Sequence, residues 1–132
     1  MPVHALDHYN LRAPRALLDE LCAFYRDVVG LTVGERPPFR RFGYWLYAGS
    51  RPVLHLGEAD AIDVCATGVE TTFNHASFAC TNMREFERRL TERSIAYRTA
   101  RVPLTSQVQL FFRDPAGNGV ELSFSSDEAG PV

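Results

Sequence analysis

The chain has four histidines, at positions 4, 8, 55 and 75, and three of them fall where short apolar strands should run. His8 stands in "LDHYNLRAP", His75 in "NHASFAC", and His55 in "RPVLHLGE" between Leu54 and Leu56. Glu121 holds the corresponding place in "GNGVELSF". His8 to His55 and His75 to Glu121 span nearly the same interval, 47 and 46 residues. A single histidine in a strand is more often a packed residue than a ligand. Four candidates at matching places are a stronger signal, and three imidazoles with a carboxylate suit zinc, nickel, cobalt, manganese or iron(II). Composition does not choose among these metals.

Such an ion, with one or two open positions, polarises a carbonyl or an enolate, and a substrate with two adjacent oxygens can chelate it. Glu121 is then either the general base for a carbon acid or a fixed ligand beside a metal-bound hydroxide. In "RPPFRRFGYWLY" (36–47), alternation puts Trp45 and Tyr47 on one strand face and Tyr44 and Leu46 on the other. Trp45 corresponds to Phe111 in the second half, so the pair is expected to wall a substrate cavity, with core packing as the competing reading for Trp45. Gln109 shares the face of Phe111 as a polar contact. Arg41 or Arg40 is a candidate for a substrate carboxylate or phosphate, against the plainer reading of a solvated loop.

These residues need a frame, and the chain writes it twice. "DHYNLRAP…LLDELCAFYRDVVGL" and "NHASFACTN…REFERRLTERSI" both run acid or amide, histidine, alternating strand, break, amphipathic helix. Pro14 opens the first helix, Leu17, Leu21, Phe24 or Tyr25, and Val28 form its apolar stripe, and Gly30 closes it. Asn82 with Glu85 reads as a capping box for the second, whose face is Met83, Phe86 and Leu90. Strands are expected in "LTVGE", "GYWLYAG" and "PVLHLG", then in "AYRTA", "QLFF" and "GVELSF". "DPAGNG" (114–119) makes a hairpin turn. Each half is therefore β-α-β-β-β, an α+β arrangement within a single domain, 1–132. Module one covers about 4–58, a linker about 59–72, and module two about 73–126. Four strands under one helix leave a sheet face for a partner or a cleft. Alternation places Leu54, Leu56, Val120 and Leu122 toward the helices and the four candidates on the opposite, polar face.

On these residues the chain resembles the vicinal oxygen chelate superfamily, which includes glyoxalase I, fosfomycin-resistance transferases, methylmalonyl-coenzyme A epimerase, extradiol dioxygenases and bleomycin-resistance proteins. The carriers are "LDHYNLRAP", "FYRDVVGL", "VLHLGE", "NHASFAC" and "FFRDPAGNGVELSF". The resemblance implies paired modules whose curled mixed sheets enclose a metal cleft, with His8, His55, His75 and Glu121 as metal ligands. His55 stands where glyoxalase-like members commonly carry glutamate or glutamine. A homodimer, with ligands from both chains around each metal, is expected from the same resemblance. The function implied is a metal-dependent lyase or isomerase of the glyoxalase type, acting on a small substrate with vicinal oxygens. The alternatives are an iron(II) extradiol-type dioxygenase and a non-catalytic small-molecule binding or resistance protein.

The bulk numbers agree. The chain has 132 residues, 45% hydrophobic and 23% charged, with a net charge of −2. All fourteen cationic side chains are arginine. No basic face invites nucleic acid, no apolar run of membrane length occurs, and no signal peptide opens the chain. The three cysteines are widely spaced, which suits a reduced, cytoplasmic protein, with Cys22 and Cys80 as core residues.

Overall fold

Alternating apolar residues and well-placed turn formers produce eight short strands and two main helices in the computed structural model. It describes residues 2–63 and 65–129. Val64, inside the expected linker, lies outside the described residues, as do residues 1 and 130–132 of the expected domain. The chain divides into two compact units, Met1–Ala66 and Thr67–Val132.

The first unit runs β1 (Tyr9–Ala13), α1 (Arg15–Phe24), β2 (Thr32–Gly34), β3 (Gly43–Ala48) and β4 (Arg51–Glu58). Its sheet order is β1-β4-β3-β2, with β1 parallel to β4 and the other pairs antiparallel. α1 lies on β1, β3 and β4. Its buried side chains are Leu18, Leu21 and Cys22, followed by Tyr25 and Val28, and they meet Leu46, Leu54 and Leu56, which are almost wholly buried. The apolar stripe thus takes in Leu18, which the sequence reading passed over. After Phe24 the chain widens into a π-helical turn, Tyr25–Val29, and Gly30 ends it at φ 94°. Glycine suits that left-handed position because a side chain would be strained there.

The second unit repeats the plan with β5 (His75–Ala79), α2 (Met83–Glu92), β6 (Arg98–Arg101), β7 (Val108–Arg113) and β8 (Gly119–Phe124). Its order is β5-β8-β7-β6, again with one parallel pair, β5 and β8. Val108, Leu110, Phe112, Val120, Leu122 and Phe124 form the buried side, with Leu90 of α2 fully buried and Phe86 edge-on to Phe124. The expected β-α-β-β-β pattern is present in both units, and neither sheet closes into a barrel.

Two local expectations change. The capping box at α2 does not form. Asn82 takes a left-handed conformation, φ 65° and ψ 61°, and its side chain makes no cap. A capping side chain needs an extended backbone at that residue to reach back to the helix amides. Glu128, from a 3₁₀ turn after β8, accepts from the Asn82 and Met83 amides instead, at 2.8 and 3.0 Å. Glu85 pairs with Arg88 and Arg89. The second change is that β1 begins at Tyr9, so His8 stands just before its strand while His75 is the first residue of β5.

The 114–119 turn is built by Asp114. Its Oδ1 accepts from the amides of Ala116 and Asn118, both at 2.9 Å, and its Oδ2 from the Asn118 side chain at 3.0 Å. This buried carboxylate fixes the hairpin that starts β8 two residues ahead of Glu121.

Candidate functional site

Strand register sets the frame. In the first unit His55 lies across from Asn10 on β1 and from Trp45 on β3. In the second, Glu121 lies across from Ser77 on β5 and from Phe111 on β7. His55 and Glu121 therefore occupy the same position of two like sheets, and so do Trp45 and Phe111.

What the two positions do differs. His55 is held between two rings. His8 stacks on it at 3.7 Å between centroids and 16° between planes, and Trp45 stacks on it at 4.0 Å and 9°. His55 Nε2 lies 3.1 Å from the Pro52 carbonyl, which can only accept, so that nitrogen carries the proton. Burial, and then the neighbouring His8 ring, hold the His55 imidazole below its ordinary pKa, so it is neutral at pH 7. Tyr47 donates to the Glu35 carbonyl at 2.6 Å. A shallow cavity of about 480 Å³ opens beside it, walled by Trp45, Tyr47, Arg36 and Glu35.

In the second unit the pair converges. His75 Nε2 is 3.2 Å from Glu121 Oε1. Glu121 is buried, and three groups address its carboxylate: Ser77 Oγ donates to Oε2 at 2.5 Å, Gln109 Nε2 donates to Oε1 at 3.1 Å, and His75 completes the set. Phe111 stands edge-on to His75 at 5.6 Å. A glycine is required next to this pair: a Cβ on Gly119 would lie 2.1 Å from the Asn74 carbonyl oxygen and 3.1 Å from His75 Cβ.

One device recurs in both units. Asp7 Oδ2 is 2.7 Å from His8 Nδ1, and Asn74 Oδ1 is 2.7 Å from His75 Nδ1. Each oxygen accepts, so Nδ1 donates to it, the contact that fixes the ring orientation of a metal-ligating histidine. The same contact holds the Asp7 carboxyl below its usual range.

Fit to a divalent ion can be judged from these atoms. Two donors at about 2.1 Å from a first-row ion, on adjacent vertices, lie about 3.0–3.4 Å apart. The His75–Glu121 separation of 3.2 Å meets that condition. The face-to-face His8–His55 pair does not present two in-plane lone pairs to one point. Among the described residues no three His, Cys, Asp or Glu side chains gather into a metal cluster. His8, His75 and Glu121 are thus side chains of ligand type, with His75 and Glu121 at a chelating separation, while His55 is placed as a stacking ring.

The remaining candidates fall as follows. His4 is exposed in the coil before β1. Arg41 reaches the Glu58 carbonyl and, at 2.9 Å, Asp60, which ties it to the end of β4. Gln109 faces Glu121 directly, a contact that alternation suggested only as a shared face. Arg98, which the sequence reading did not single out, lays its guanidinium over Phe111 at 4.1 Å. Only its cross-strand pairing with Phe111 could have signalled that contact, and pairing is not visible before the strands are in register.

The chain matches no family model. It is 33% identical over 126 residues to "Glyoxylase I 4" of Arabidopsis thaliana, covering 92% of this chain and 72% of that protein. The chain belongs to the glyoxalase I family. That places it in the vicinal oxygen chelate superfamily, as its motifs suggested. Among solved structures, a lactoylglutathione lyase from Agrobacterium tumefaciens is 26% identical with a TM-score of 0.66, covering 96% of this chain and 97% of that one. A glyoxylase/bleomycin resistance protein/dioxygenase domain from Frankia sp. EAN1pec shares the fold at a TM-score of 0.73 and 21% identity, over 93% and 98% of the two chains. No helix among the described residues of this glyoxalase-family chain is long and apolar enough to cross a membrane.

Proposed function

We propose that the protein is a divalent-metal-dependent lyase or isomerase of the glyoxalase type, acting on a small molecule with two adjacent oxygens. The observation that carries this reading is the His75–Glu121 pair, with two donor atoms at chelating separation and the carboxylate held by Ser77 and Gln109. Family membership supports it. His75 through Nε2, Glu121 through Oε1 and His8 through Nε2 would hold the ion, the histidine of the first unit coming from the same chain or from a second copy in a homodimer. His55 joins this set only if its ring leaves the stack. Once bound, the ion supplies positive charge to neutralise an enolate or alkoxide.

The chain's own groups then divide the work. Glu121, on leaving the ion, is the base that takes a proton from the carbon beside the carbonyl and returns it to the neighbouring carbon. Ser77 and Gln109 each occupy a lone pair of the carboxylate, which fixes its rotamer and aims it. Asn74 keeps the His75 tautomer. In the first unit Trp45, His55 and His8 form a flat stacked surface.

The placement of His55 favours one second reading. A set of two histidines and one carboxylate is the ligand type of iron(II) oxygenases, so an extradiol-type dioxygenase is the competing activity. Element analysis of anaerobically purified protein, then turnover of α-keto thiol adducts and catechols, separates the two. A stoichiometric non-redox metal with isomerisation of the thiol adducts supports the lyase or isomerase. Iron with oxygen uptake on catechol replaces it with the dioxygenase. Absence of metal overturns both and leaves a binding protein. His75→Ala is expected to lose the metal and His4→Ala to keep it. Light scattering tests the dimer.

A further inference from the structure

The second unit contains a cavity of about 550 Å³ with His75 on its rim. Asn74, Tyr97, Arg98, Phe111 and Arg113 line it, with apolar residues of β7, β8 and the loop after α2, and no aspartate or glutamate is among the lining residues. A chain with a net charge of −2 has here lined a cavity with two arginines and a histidine, while the nearby acids lie outside the lining, Glu121 against His75 at 3.2 Å and Glu87 against the Tyr97 hydroxyl at 2.9 Å.

The arginines are posed differently. Arg98 lies over Phe111, with its guanidinium carbon 4.1 Å from the ring centroid. Stacking uses the face of the guanidinium and leaves its in-plane N–H groups directed outward, the arrangement that receives an oxyanion in a two-point contact. Arg113 donates one N–H to the Gly117 carbonyl at 2.8 Å, which anchors the side chain at the hairpin turn. Phe111 touches both, perpendicular to the His75 ring and with a face under Arg98. The first-unit cavity differs: Glu35 stands beside Arg36 in it, and Arg36 donates to the Arg41 carbonyl at 2.7 Å.

We propose that this cavity binds a small organic acid, with its carboxylate at Arg98 and Arg113 and its apolar body along Phe111. The volume suits a ligand of that size. His75 belongs to the same lining, so the acid's other end would lie beside it. As a statement about the substrate, the inference rests on the reaction proposed above. As a statement about binding, it stands without a metal.

The test is calorimetric titration of metal-free and metal-loaded protein with phenylacetate, its neutral amide phenylacetamide, and inorganic phosphate. Proton NMR of the His75 ring is followed in the same titrations. Phenylacetate is expected to bind metal-free protein and shift the His75 ring signals, while the amide binds at least about tenfold more weakly. Arg98→Gln is expected to cost a similar factor, and Arg98→Lys less. Arg98 lies on an exposed edge strand, and an unchanged melting curve verifies folding; the acid-against-amide comparison needs no variant at all. Equal affinity for acid and amide, an Arg98→Gln protein that binds as well as wild type, an unmoved His75 signal, or phosphate binding as tightly as phenylacetate would each overturn the proposal. Metal content is measured on the same samples, so absence of metal with intact anion binding refutes the proposed reaction alone. Full metal loading with no anion selectivity refutes this inference alone.

Discussion

The two units use one strand plan and fill it with opposite chemistry. At the same position of β4 and β8 the first unit places an imidazole and the second a carboxylate; across from it stand Trp45 and Phe111, Asn10 and Ser77. Trp45 is broad and flat, and a neutral ring stacks on it face to face. Phe111 turns its edge toward His75, and the buried charge of Glu121 requires donors, which Ser77 and Gln109 supply. The repeat therefore preserves positions and not interactions. Which side chain occupies a single strand position decides whether its surroundings pack or bind.

The largest effect should come from exchanging rings on the two sides. His75→Ala removes a donor of the converging pair and is expected to abolish metal retention after dialysis. His55→Phe keeps the stack with Trp45 and His8 and is expected to retain full metal content and fold. If His55→Phe loses metal as completely as His75→Ala, the stacked geometry is not that of the metal-bound protein and the contrast between the units collapses.

A smaller effect tests the shell around the carboxylate. Ser77→Ala or Gln109→Leu is expected to weaken metal binding about 10- to 100-fold, the usual consequence of losing a group that orients a ligand. Asn10→Ala, the matching change across from His55, is expected to leave metal affinity within about twofold, because a stacked neutral ring is not oriented from that strand. Competition titration against a chelating dye measures all three. Equal losses in the two units would show that Asn10 and Ser77 have the same role after all.

How much of this was legible beforehand follows from the range of each interaction. The strands, the 114–119 turn and the duplication were readable because alternation, turn residues and spacing are local and occur twice. The parity of Leu54 and Leu56 around His55, and of Val120 and Leu122 around Glu121, placed the candidates on the face they occupy. The sequence also showed an acid or amide before each of His8 and His75, but not that Asp7 and Asn74 hold the Nδ1 protons. The stack of His8, His55 and Trp45 was not legible, because ring orientation depends on a contact of β3 and β4 with the residue before β1. Arg98 was hidden for the same reason. The capping box at Asn82 failed on backbone conformation, which the motif does not reveal, and its replacement, Glu128, lies 46 residues away.

That replacement gives the smallest effect and a further difference between the units. α1 begins at Pro14 with no side-chain cap, whereas α2 is capped by Glu128. The Met83 amide, and then the Asn82 amide, hold the Glu128 carboxyl below its ordinary value of 4.5. A carboxyl whose pKa is lowered by folding contributes stability above its unfolded pKa, and this contribution is lost as pH falls through the lower folded value. The stabilising effect of Glu128 should therefore be complete near neutrality and fade below about pH 4.5. Glu128→Gln keeps an acceptor but not the charge favoured at a helix N-terminus. It is expected to melt slightly below wild type near pH 7, with the gap closing as the pH falls toward 3. Amide exchange near Asn82 and Met83 should quicken in the variant at neutral pH, while exchange at the start of α1 stays unchanged. A melting difference that persisted undiminished at pH 3 would mean that Glu128 acts through packing rather than charge, and that the second helix is begun no differently from the first.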